Sequence, residues 1–137
     1  MDPAHHPQEL NRLVSGFTER VPGVLHTVVV TADGVTVAAS DRIAPQHLEQ
    51  LSAITSGLTS LACASARMFD GEAVTQALVT MELATLVIMA IDDGSSLAVL
   101  TTSTADLDLV AYEMTMMVEQ ADSIFSPPAR SARLEPA

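Results

Sequence analysis

The stretch VLHTVVVTADGVTVAAS, residues 24–40, limits the choice of fold more than any other part of the chain. Two β-branched runs flank Asp33-Gly34, a dipeptide that accepts positive φ at low cost and therefore favours a tight hairpin. Strands joined so closely must pair antiparallel, which argues against the parallel sheets that bind nucleotides. Further along, residues 73–81 (AVTQALVTM) and 83–91 read as strands, and Asp92-Asp93-Gly94 leads into a third at residues 96–102. Asp-Gly thus precedes a strand region twice, and hairpin chemistry accounts for this without an internal repeat.

Helical spacing fills the remaining segments. Leu10, Leu13, Val14, Phe17 and Val21 recur by threes and fours until Pro22-Gly23 stops the pattern. Pro45 opens a longer register of Leu48, Leu51, Ile54, Leu58, Leu61 and Ser65, ending near Arg67, and this stripe is expected to lie against the sheet. Leu107, Val110, Met114, Met117, Ala121 and Ile124 form a last stripe, with Asp106 and Asp108 near its positive end. The expected fold is an α+β domain over residues 8–125, in the order α-β-β-α-β-β-β-α. It comprises a single five-stranded antiparallel sheet, read as a meander, flanked by three helices, with flexible tails at residues 1–7 and 126–137.

Charge narrows the function. Seventeen carboxylates face six basic residues, all arginine, and a net charge of −11 disfavours nucleic acid and anionic membrane surfaces. The chain has no lysine, so a P-loop is impossible. One cysteine, Cys63, excludes an internal disulfide and fits a reducing compartment. The opening MDPAHHPQEL lacks the parts of a signal peptide, and no apolar run is long enough to span a bilayer. A cytoplasmic protein without membrane insertion is expected.

No catalytic, cofactor-binding or metal-binding residue stands out. His5, His6, His26 and His47 form no ligand pattern, and Cys63 sits between Ala62 and Ala64 with no positive neighbour to activate it. Asp92-Asp93 reads as a turn. The last helix carries Asp106, Asp108, Glu113, Glu119 and Asp122, a solvated face that is also suited to steering a basic partner. A noncatalytic protein is expected.

Two uncharged segments suggest instead what the chain touches. LSAITSGLTSLACASA, residues 51–66, holds no charge, and stepping from Ala53 gives Gly57, Ser60, Ala64 and Arg67, with Ser56 alongside. A solvent-facing strip in so acidic a chain would normally carry charges, and small side chains admit close approach of another backbone. A second copy of the same helix is the simplest cover, since two-fold dimers juxtapose identical patches. The alternative is that the hydroxyls hydrate an exposed face. The strand AVTQALVTM, with Val74, Gln76, Leu78 and Thr80, lacks the charges and prolines that usually protect a sheet edge. It reads either as an edge that pairs with its own copy or as a central strand.

The element order, the Val21-Pro22-Gly23-Val24 end of the first helix and the following VVVTADGVTVAAS together resemble the Roadblock/LC7 domain family, over about residues 10–125. The chain looks most like the small acidic bacterial members encoded in actinobacterial operons beside a Ras-like GTPase, a membrane histidine-kinase-like protein and another small protein. The resemblance implies a homodimer or heterodimer in which third strands pair into one ten-stranded sheet and the long second helices lie side by side. It further implies that a Ras-like GTPase docks on the paired helices, making the protein a regulatory scaffold of the nucleotide cycle or of localisation, recruited to the membrane through partners. A small-molecule-sensing α+β domain is the alternative function.

Overall fold

Hairpins and one crossing helix set the architecture. The computed structural model describes residues 5–91 and 94–125, with side chains from 8 to 91 and from 94 to 120. The elements are α1 (His5–Arg20), β1 (Val24–Val30), β2 (Thr36–Ala39), α2 (Pro45–Met68), β3 (Gln76–Thr80), β4 (Ala84–Ala90), β5 (Ser96–Thr102) and α3 (Leu107–Phe125). This is the expected α-β-β-α-β-β-β-α order around a single five-stranded antiparallel sheet.

Helix α1 starts at His5, inside the segment expected to be a tail, because Pro7 falls in the first turn, where an N–H has no intrahelical acceptor anyway. Residues 1–4 and 126–137 and the Asp92-Asp93 turn lie outside the described residues. The helix ends at Pro22-Gly23 for a steric reason. Gly23 has φ +88°, and a Cβ there would meet the Ala105 Cβ at 2.6 Å, so only glycine fits between the helix and the segment before α3.

The two Asp-Gly hairpins close alike. Gly34 N–H donates to Thr31 O at 3.0 Å and Gly94 N–H to Ile91 O at 3.0 Å, with each glycine at φ +92°. The shared Asp-Gly chemistry is therefore local turn geometry.

Strand order is β2-β1-β5-β4-β3. The chain meanders through β3, β4 and β5, but β1 then joins β5, so the five strands do not follow one another across the sheet as expected. Helix α2 instead carries the chain from the β2 edge to the β3 edge.

Side-chain alternation divides the core in two. Val29, Val87, Leu97 and Val99 point to one face, where Leu10, Val14 and Phe17 of α1 and Val110, Met114 and Met117 of α3 close a buried cluster. Val28, Val30, Leu86, Ile88 and Ala98 point to the other face, with Leu48, Leu51 and Leu58 of α2 partly buried over them.

The α2 stripe departs from expectation. Ser52 and Thr55 are the buried residues of this helix, whereas Ile54 and Leu61 are 51% and 71% exposed, and Ser65 is exposed as well. Relative to the expected leucine stripe the helix is turned by about 70° at 100° per residue. Hydroxyl pairing accompanies this rotation. Ser52 Oγ lies 2.6 Å from Thr36 Oγ1 on β2, and Ser56 Oγ donates to Ala32 O at 2.9 Å in the first hairpin. These bonds hold α2 to the β1–β2 end of the sheet, and Ile54 and Leu61 look outward.

Candidate functional site

The two edges of the sheet differ in what covers them. At the β2 edge, the Ala39 N–H donates to Asn11 Oδ1 at 3.1 Å and the Asp41 N–H to Ser15 Oγ at 3.3 Å. Side chains of α1 thereby take donors that another strand would need.

At the β3 edge the backbone is open. Thr75 O accepts from Ala90 N–H, and Met81 N–H donates to Ala84 O, so the odd-numbered residues between them bond inward to β4 by antiparallel alternation. The N–H and C=O of Gln76, Leu78 and Thr80 then point away from the sheet, and among the described residues nothing pairs with them. All three side chains are exposed and uncharged. The uncharged pattern of this segment suits an edge or a central strand equally; β3 is an edge. Val74 lies apart from it, half-buried in the loop before β3.

Helix α2 contributes a second open surface on the same side of the molecule, since Ala77 and Val79 of β3 and Leu48, Leu51 and Leu58 of α2 pack against the same buried cluster. At 100° per residue, Gly57 and Ala64 stand opposite the sheet, with Ala53 and Ser60 on one flank. Ala53, Gly57 and Ser60 are exposed and Ala64 is half-buried. A Cβ on Gly57 would meet nothing within 4 Å, so none of the described residues requires glycine there. Ile54, Leu61 and Met68 run along the other flank, seven residues apart, as an exposed apolar ridge. Sequence reading missed this ridge by assigning Ile54 and Leu61 to the core, although their heptad spacing to Met68 is visible in the sequence. Ser56 is turned toward the first hairpin through its bond to Ala32 O, off the outer strip. Arg67 is exposed, and among the described residues it makes no ion pair.

Clefts lie between the elements as well. One, of about 350 Å³, lies between α1, the start of β1 and the loop after β2, and is lined by Thr18, Glu19, His26, Ser40 and Arg42. Its hydroxyls are engaged within the chain: Thr18 Oγ1 lies 2.8 Å from Thr27 Oγ1, and Ser40 Oγ accepts from Thr27 N–H at 3.0 Å. His26 Nδ1 is buried and has no hydrogen-bond partner among the described residues. Another, of about 300 Å³, lies between α2 and the β4–β5 turn and is lined by Cys63, Arg67, Glu72 and Val74. Among the described residues no group of three or more His, Cys, Asp or Glu side chains is placed to hold a metal ion. No helix among them is long and apolar enough to cross a membrane.

Comparison with known proteins follows the fold. The Roadblock/LC7 domain model matches residues 10–101. Among solved structures, a Roadblock/LC7 domain from Streptomyces avermitilis is 30% identical, covering 84% of this chain and 96% of that one, with a TM-score of 0.80. A second Roadblock/LC7 domain from the same organism is 36% identical, covering 82% and 97%, with a TM-score of 0.69. Myxococcus xanthus MglB, 15% identical, covers 91% of this chain and 92% of that one at a TM-score of 0.81, a likeness of fold. No curated protein matches significantly.

Proposed function

The chain belongs to the Roadblock/LC7 domain family, and on that premise we propose that it is a noncatalytic homodimeric scaffold that binds a Ras-like small GTPase and modulates its nucleotide cycle or its localisation. The observation that carries this reading is the asymmetry of the sheet edges: β2 is covered by Asn11 and Ser15, whereas β3 offers the backbone of Gln76, Leu78 and Thr80.

Two β3 strands related by a two-fold axis would satisfy those groups and join two sheets into one of ten strands. The same axis brings the α2 helices toward each other. Gly57 and its small neighbours then permit a close approach, and the ridge of Ile54, Leu61 and Met68 leaves water. The paired helices form the face for the GTPase, with Arg67 as a cation at its end. A membrane histidine-kinase-like protein is a further partner of the assembly, through which a cytoplasmic protein reaches the membrane.

The test has two parts. Light scattering at micromolar concentration should give twice the chain mass of 14.4 kDa, and Leu78→Pro, which deletes one outward N–H from an exposed position, should return the single-chain mass. Wild-type protein at single-chain mass defeats the dimer. Mixing the dimer with the Ras-like GTPase in its GDP and GTP-analogue states should give co-elution in at least one state. No co-elution and no change in hydrolysis in either state removes the regulatory role. Substituting Gly57→Glu should weaken GTPase binding, helix pairing or both, while leaving the fold intact, because the position has open space around it.

A further inference from the structure

The outer face of α3 combines apolar exposure with acid in a way that neither the core nor the β3–α2 surface uses. Val110, Met114 and Met117 face the core. Leu109, Tyr112 and Met116, spaced by three and four, are 38%, 61% and 43% exposed. On a helix these three occupy an arc of about 60°. Asp108 and Glu119 border that arc on one side, both exposed and without an ion pair among the described residues. Glu113 borders it on the other and is held by Arg20 Nη2 at 3.2 Å. The helix carries no lysine or arginine of its own.

We propose that the Leu109/Tyr112/Met116 stripe of α3 is a docking site for a cationic amphipathic segment of another protein, its apolar residues on the stripe and its arginines or lysines toward Asp108 and Glu119. Charge complementarity selects this occupant. The chain carries a net −11, so an acidic or neutral helix of similar shape is repelled or gains nothing at the border. Tyrosine and methionine suit the stripe, because both are enriched at interfaces and methionine repacks around varied partners. The stripe lies on the sheet face opposite α2, so the inference stands apart from GTPase docking on α2. A dimer through β3 would display it twice, and a monomer once.

Fluorescence anisotropy with a labelled synthetic helix of about five turns, leucine on one face and arginine elsewhere, tests the site on the full chain. Micromolar binding is expected, lost on exchanging every arginine for glutamate and weakened by added salt. The Tyr112→Ala/Met116→Ala chain should bind at least about tenfold more weakly. The Asp108→Asn/Glu119→Gln chain should bind several-fold more weakly, with a flatter salt dependence. Leu61→Ser on α2 should leave the affinity unchanged. Equal binding by the Tyr112→Ala/Met116→Ala chain and the parent, with the fold verified by circular dichroism, overturns the proposal. So does a gain of about tenfold or more when Arg130→Glu and Arg133→Glu are introduced, since the chain's own C-terminal arginines would then be the occupant.

Discussion

The two faces of the sheet are built on different principles. Under α1 and α3, large apolar side chains make up most of the layer: Leu10, Val14, Phe17, Val99, Val110 and Met114 are completely buried, and the buried hydroxyl of Thr27 is paired with Thr18 of α1. The two helices touch each other and share one buried cluster with the sheet, and the Arg20–Glu113 pair crosses between them. Under α2 the buried residues of the helix are Ser52 and Thr55, the leucines cover the sheet only in part, and the Thr55 Oγ1 has no hydrogen-bond partner among the described residues. The first face is finished within one chain. The second is a layer that turns Leu48, Leu51 and Leu58 to the sheet and leaves Ile54, Leu61 and Met68 exposed on its outer side, and such an outward apolar ridge is the arrangement expected of a helix with another protein layer above it.

This contrast can be broken by stability measurements. Phe17→Ala should destabilise most, by about 4 kcal/mol in urea unfolding, because a fully buried aromatic leaves a cavity in a close-packed cluster. Leu58→Ala on α2 should cost about 1.5 kcal/mol, since that leucine is only partly buried and its removal leaves space open to solvent. If the two losses were equal, the distinction between the faces would fail. Thr55→Val should raise the unfolding midpoint, with a gain of about 1 kcal/mol, because the hydroxyl it removes is buried without a partner. A loss of stability would mean that this oxygen is satisfied by a water or by a small shift of the helix, and that α2 is better seated than its side chains indicate.

Much of this was legible in the residues. Asp33-Gly34 announced the first hairpin because its turn needs only local backbone freedom, and Gly34 adopts the positive φ it requires. Val21-Pro22-Gly23 announced the end of α1, although the close approach of Ala105 that makes Gly23 necessary involves a residue distant in sequence. The lack of charge in AVTQALVTM marked an unusual strand but did not distinguish an edge from a centre. Both environments tolerate uncharged side chains, and only pairing to β4 alone resolves them. The α2 stripe misled for a related reason. Periodicity shows that a helix has an apolar side, and in α2 apolar residues span more than half the circumference, so hydroxyl bonds to Thr36 and Ala32 select which part faces the sheet.

The sequence by itself determined the kinds of element, their order and those ends that Pro22-Gly23, Asp33-Gly34 and Pro45 mark, because turn glycines, prolines and hydrophobic periods act over a few residues. Tertiary structure alone decided that β1 would sit beside β5, that α2 would roll its isoleucine and leucine outward, and that one edge would be covered while the other stayed open. These outcomes depend on the free energy of packing segments far apart in the chain, where several arrangements satisfy the same local pattern and only their mutual fit separates them.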